Sequence, residues 1–211
     1  MIIVSDLHID NGHGAFTPNA DAFNFFLDCV GSDDLLIAGD FLDLWRYSLK
    51  SIMDGPHKAI IHRLRQKPNV TLIRGNHDVY MEAITDVFQC EVFDVLDVCG
   101  WRIFHGHSFD FRLDTPQERW LAATAARLIE GSHLGFLHRL AGWLNSSKRE
   151  NGYLKKAIID AGQAHLTICG HTHVATHDGW YVNSGTWTGD TCSYVVLEHD
   201  GKPRLEVWRN A

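Results

Sequence analysis

The chain has 211 residues, 45% of them hydrophobic, which suits one globular domain able to bury an adequate core. A formal charge of −7 argues against a protein that coats nucleic acid through phosphate contacts, though not against a nuclease with a local basic groove. Five cysteines (Cys29, Cys90, Cys99, Cys169 and Cys192), odd in number and without a CxxC pair, are expected to be reduced and mostly buried. The first strand begins at Met1, leaving no room for an export signal, and no apolar run approaches the roughly 18 to 20 residues of a membrane span. A cytoplasmic protein is the expectation.

Met1-Ile2-Ile3-Val4 reads as a short strand that ends in Ser5-Asp6-Leu7-His8. Side chains two apart on an extended backbone leave from one face, so Asp6 and His8 emerge together from the strand's carboxyl end. Residues 18–30 carry Phe23, Phe26, Leu27 and Val30 at helical spacing, a core-facing stripe. A second strand, Leu35-Leu36-Ile37-Ala38, runs into Gly39-Asp40-Phe41-Leu42-Asp43-Leu44-Trp45. Asp40 reads as a ligand in company with Asp6, whereas Asp43 by itself reads as a turn cap. Residues 50–66 suggest one helix with Ile52, Ile60, Ile61 and Leu64 inward and His57 and His62 at the surface, stopped near Lys67-Pro68.

The third strand, Val70-Thr71-Leu72-Ile73, leads to Gly75-Asn76-His77-Asp78, and a fourth, Arg102-Ile103-Phe104, leads to His105-Gly106-His107. The fifth apolar run, Leu166 to Cys169, closes in Gly170-His171-Thr172-His173, two imidazoles on one face. Strands alternating with helices predict an α/β fold with a largely parallel sheet, whose site lies at the carboxyl ends of the strands. Each fragment alone is weak evidence. Five strand ends carrying Asp, His or Asn form a joint signal of a metal centre.

In order, Asp6-x-His8, Gly39-Asp40-x-x-Asp43, Gly75-Asn76-His77-Asp78, His105 within HGH, and Gly170-His171-x-His173 resemble the five motifs of the calcineurin-like metallophosphoesterases. The resemblance implies a four-layer α/β/β/α sandwich of two mixed sheets that holds a pair of divalent metals. It implies Asp6, His8 and His173 on one metal, Asn76, His105 and His171 on the other, and Asp40 bridging. His77 would assist the leaving oxygen of a phosphate ester, with Asp43 orienting it. For His107, a packed or supporting role and a catalytic one both stay open.

The chemistry of the donors agrees with that reading. Two carboxylates, one amide oxygen and four neutral imidazoles bring about −2 to a metal pair of about +4, enough residual charge to hold a phosphate and acidify a bridging water that attacks in line. Oxygen and nitrogen donors without thiolate suit manganese, iron or zinc, with manganese the first choice. Ser5-Asp6-Leu7-His8-Ile9 and Gly39 to Trp45 look most like the branch containing UDP-2,3-diacylglucosamine pyrophosphohydrolase. His77, where that branch has Arg, and HGH, where it has HGD, depart from it. A phosphodiester or pyrophosphate of nucleotide-diphosphate type is the expected substrate, with Trp45, Arg46 and His107 as candidate contacts.

Residues 110–162 interrupt the strands with helical stripes, Trp120, Leu121, Ala125, Leu128 and Ile129, then Leu134, Leu137, Leu140, Ala141 and Leu144. Residues 111–160 carry eight Lys or Arg against five Asp or Glu, so +3 there leaves −10 elsewhere. Such a basic insertion reads equally as a lid that selects substrate and as a hairpin packed on the sandwich. Runs at 180–183, 194–197 and 205–208 read as antiparallel strands of the second sheet. Two other functions stay open, a nuclease of the same superfamily and a phosphate-binding module without turnover.

Overall fold

Alternation along short strands sorts each apolar side chain into one of two layers, as the computed structural model of the chain shows for residues 1–78, 85, 88, 90–109, 147–163 and 165–209. Parallel strands β1 (Ile2–Val4), β2 (Leu35–Ala38) and β3 (Val70–Ile73) form the centre of one sheet. Val4, Leu35, Ile37 and Leu72 pack with the apolar faces of α1 (Ala20–Val30), α2 (Leu49–Met53) and α3 (Lys58–Gln66). Their neighbours Ile3, Leu36, Ala38 and Ile73 face the other way, into the layer between the sheets.

β4 (Val92–Phe93), β5 (Val95–Val98), β6 (Trp101–Phe104), β7 (Thr167–Cys169), β8 (Thr176–Asp178), β9 (Tyr181–Asn183), β10 (Ser193–Leu197) and β11 (Pro203–Val207) complete the sheets. Their orders are β11-β10-β1-β2-β3-β4 and β5-β6-β7-β9-β8. Trp101, Ile103, Ile168 and Val182 meet the first sheet, while Phe104, Cys169 and Tyr181 face outward under Leu154 and Ile158 of α4 (Ser147–Asp160). The stacking is therefore helices, sheet, sheet, helix: the expected four-layer α/β/β/α sandwich. No helix among the described residues is long and apolar enough to cross a membrane.

Several expectations change. Of the three C-terminal runs only β9 joins the second sheet, parallel to β7, whereas β10 pairs antiparallel with β1 and carries β11 into the first. The run Tyr194 to Leu197 is apolar on both faces, so its pattern names no partner: Val195 and Leu197 lie between the sheets and Tyr194 lies with Phe26 and Trp208. The helix expected over 50–66 is broken between α2 and α3 at 54–57, where Pro56 has no amide hydrogen to continue the first segment. His57 is thereby turned inward as the residue capping α3, buried, with Nε2 2.9 Å from Thr17 Oγ1. All five cysteines are free, but Cys29 and Cys99 are exposed. Of the helical stretch 110–162, α4 packs on the second sheet; the stripes from Trp120 to Leu144 lie outside the described residues.

Candidate metal centre

The five motifs follow β1, β2 and β3 of the first sheet and β6 and β7 of the second, so they meet where the carboxyl ends of both sheets converge. Backbone conformation singles out the same positions. Among the described residues six other than glycine have positive φ, and five of them are Asp6, His8, Asp40, His171 and His173, between 46° and 71°. Each such residue costs on the order of 1 to 3 kcal/mol, a strain that persists only where surroundings fix it and that concentrates at functional sites. Close approach does part of the fixing. A Cβ on Gly75 would lie 2.1 Å from the Asp40 amide nitrogen, and one on Gly170 would lie 2.3 Å from both the Asp6 carboxylate and the Ser5 hydroxyl.

The side chains converge accordingly. His173 Nε2 lies 3.1 Å from both Asp6 Oδ1 and His8 Nε2, and His8 Nε2 lies 3.5 Å from Asp40 Oδ2 and 3.9 Å from Asp6 Oδ1. On the far side of Asp40, His105 Nε2 is 3.3 Å from the same Oδ2 and 3.2 Å from Asn76 Oδ1. The His171 ring stands edge-on to His105 with centroids 5.2 Å apart, and its amide donates to Asp6 Oδ2 at 2.9 Å. His105 Nδ1–H donates to the Ala38 carbonyl at 2.9 Å, which leaves Nε2 bare toward the cluster.

Asp6, His8, Asp40 and His173 can hold one metal ion among them. An ion at roughly 2.1 Å from oxygen and nitrogen donors sets neighbouring donors about 3 Å apart, close to the spacing here. The electrostatics suit a cation as well. Burial would raise the Asp6 carboxyl, but the imidazoles of His173 and His105 outweigh it and hold it at about 2. Burial would lower His105, but Asp40 and then Asp6 draw a proton onto it and push it up to about 10, while burial and the facing His77 push His8 down to about 3. These imidazoles compete for two carboxylates, and a divalent ion satisfies both sides with neutral rings. The Cys169 thiol is pushed up to about 12 by burial.

His77 stands beside this cluster. Its Nδ1–H donates to Asp43 Oδ1 at 2.9 Å, and its amide donates to Asp40 Oδ1 at 2.8 Å. Trp45 stacks on its ring at 4.1 Å and 19°, and Arg46 Nη1 lies 3.5 Å from the other Asp43 oxygen. His107, half-buried, lies 5.5 Å from the His105 ring. The Asp43 carboxylate thus serves His77, while its carbonyl accepts from the Arg46 and Tyr47 amides in the turn that follows. His8, Asp43 and His77 also fall close enough to be read as a metal group, but the short Nδ1–carboxylate hydrogen bond already occupies that pair.

Three residues outside the expected site set support the cluster. Asp78, buried, accepts from the amides of Phe41, Leu42 and Gly75 at 3.1 Å each, locking the second and third motifs together; burial beside Asp40 raises its carboxyl to about 6. Ser5 donates to Asp6 Oδ2 and bonds the Ser184 hydroxyl. Asn183 donates to the Gly170 carbonyl at 2.5 Å. Asp78 and Ser5 sit within motifs, Asp78 two places from Asn76, where a polar side chain deep at a strand end is itself a clue.

No curated protein sequence matches the chain significantly. Among solved structures, Yfce, a phosphoesterase from E. coli, is similar over 99% of this chain and 100% of its own, at 18% identity and a TM-score of 0.48. Residues 1–175 match the model of the calcineurin-like phosphoesterases, and the chain belongs to that family of metal-dependent phosphoester hydrolases.

Proposed function

We propose that the chain is a dinuclear hydrolase of phosphodiester or pyrophosphate bonds. The observation that carries this reading is Asp40 Oδ2, 3.5 Å from His8 Nε2 and 3.3 Å from His105 Nε2, so that one carboxylate oxygen serves two neighbouring donor groups. Asp6, His8 and His173 would hold one ion and Asn76, His105 and His171 the other, with Asp40 available to both. When bound, such a pair lowers the pKa of water toward neutrality and neutralises charge on phosphoryl oxygens. Manganese is the first choice for an all-oxygen-and-nitrogen donor set, with iron or zinc as alternatives.

The chain's own residues supply the remaining steps. Asp43 accepts from His77 Nδ1–H, which fixes the ring and leaves Nε2 as the atom that assists the departing oxygen. Arg46 beside Asp43 and Trp45 against His77 border the same place and are candidate contacts for a base or sugar, as is His107. His173, 41% exposed at its side chain, marks the open side from which substrate enters. The first two motifs support a nucleotide-diphosphate substrate like that of the UDP-2,3-diacylglucosamine branch, and His77 supports a broader diesterase. The net charge of +3 over residues 111–160 would favour a phosphate-bearing substrate, and five free cysteines support a reducing, cytoplasmic setting.

The test is hydrolysis of bis-p-nitrophenyl phosphate and p-nitrophenyl phosphate by metal-stripped protein, with and without manganese, beside Asp40→Ala. Manganese-dependent cleavage of the diester, lost at least about a hundredfold in the variant, is expected. Wild-type protein that takes up manganese yet cleaves neither these esters nor a nucleotide diphosphate would overturn hydrolysis and leave a binding module.

A further inference from the structure

We infer that Asn151, on the outer helix α4, is a positioning residue for His171 and His173 and acts through the hydroxyl of Thr172. The inference rests on the reading of those two histidines as metal ligands. Both have positive φ, 71° and 60°, a conformation that their loop cannot hold by its own preference. Thr172 between them is buried, and its Oγ1 donates to Asn151 Oδ1 at 2.6 Å while accepting from Asn183 Nδ2 at 3.1 Å.

Asn151 reaches well beyond that one bond. Its Oδ1 also accepts from the Tyr181 hydroxyl at 3.0 Å, and its Nδ2 donates to Thr176 Oγ1 at 2.7 Å and to the Val174 carbonyl at 3.0 Å. Two acceptor sites and two donor hydrogens are all used, so the amide cannot rotate without leaving a buried polar group unpaired. Through it α4 grips Thr172, Val174 and Thr176, the residues that follow each histidine and the start of β8. Asn183 holds the other end, at Gly170. Leu154 and Ile158 already provide the apolar packing of α4 on Phe104, Cys169 and Tyr181. An amide with four hydrogen bonds is not needed for that packing, and every bond it makes goes to the loop, to β8 or to β9.

The experiment is calorimetric titration of manganese into metal-stripped full-length protein. Thr172→Val, nearly isosteric, and Asn151→Ala should each weaken binding by about 10- to 100-fold, the usual effect of losing a group that orients a metal ligand. Thr172→Ser, which keeps the hydroxyl, should restore wild-type affinity. The double variant should be no weaker than the worse single one, because both changes cut one connection. Ile158→Ala, which loosens α4 without touching the network, should lower the melting temperature and leave the affinity unchanged. At saturating manganese the turnover number of Thr172→Val should return to near wild type with KM for the diester unmoved. Wild-type affinity in Thr172→Val, or an equal loss in Ile158→Ala, would overturn the role of Asn151. If Asn151→Ala does not fold, the Val and Ser variants at 172 decide alone. A wild-type protein that binds none of manganese, iron or zinc would instead refute the ligand reading of the histidines themselves.

Discussion

The two sheets hold their shares of the site by different means. On the first sheet the loops after β1 and β2 continue the parallel ladder beyond the strands: Asp6 N–H donates to Gly39 O at 3.0 Å, His8 N–H to Asp40 O at 2.9 Å, and Ile9 bridges Leu42. Asp78 adds the loop after β3 to this unit through three amides. On the second sheet a main-chain bond, Gly170 N–H to His105 O at 3.0 Å, joins the two histidine loops, bonds from His105 Nδ1 to Ala38 O and from His171 N–H to Asp6 tie them to the first sheet, and side-chain amides and hydroxyls hold the rest. The first half is thus part of the folding unit, and disturbing it costs stability. The second half can lose its alignment while the protein remains folded.

Gly75→Ala would break the comparison most severely. A Cβ there would lie 2.1 Å from the Asp40 amide nitrogen and 2.2 Å from Asp40 Oδ1, and the backbone nitrogen cannot swing aside as the end of a flexible side chain could. A loss above about 4 kcal/mol is expected, the range reserved for such clashes, and urea denaturation would read it. Next is His77→Ala, which should lower kcat by about 10²- to 10⁴-fold, as loss of a general acid does, with manganese content by mass spectrometry unchanged. Metal is retained because the bond from residue 77 to Asp40 Oδ1 is made by the backbone amide and survives the change. Loss of metal along with activity would move His77 from the reaction to the scaffold. Asp78→Asn comes third: its NH₂ would face amide donors where a carboxylate oxygen now accepts, at a cost of about 1 to 3 kcal/mol in urea denaturation. Unchanged stability there would show that the first half does not depend on its carboxylate link.

What could be read from the sequence follows the same division. Asp6, His8, Asp40, Asn76, His105, His171 and His173 stand directly after short apolar runs, so spacing alone brought them to strand ends. Asn151 gave no such signal. It lies in the polar stretch Glu150-Asn151-Gly152, and its partners Thr172 and Tyr181 are 21 and 30 residues away. Long-range side-chain pairing of this kind has no local pattern. Sheet membership of β10 and β11 was hidden for a related reason, since a strand apolar on both faces fits either sheet. His57 shows how one break resets a prediction: on a continuous helix it would be exposed, but the turn at Pro56 makes it the buried cap of α3.

Trp45 offers the finest test of the first half, because two roles for it predict different kinetics. Its indole lies flat on His77 at 4.1 Å, Asp43 holds the ring's Nδ1, and Arg46 lies near Asp43 in turn. A stacked aromatic pair is worth about 0.5 to 1.5 kcal/mol, so Trp45→Leu, which keeps apolar volume and removes the stack, should lower kcat by roughly 2- to 10-fold. If Trp45 supports His77, KM for the diester stays constant, and the substitution has no further effect in a His77→Ala background. If Trp45 instead contacts a base or sugar, KM rises for nucleotide substrates, kcat with a small diester is unchanged, and the loss persists without His77. Steady-state kinetics on both substrates in the four variants separates the two, because only support of His77 disappears when the imidazole does.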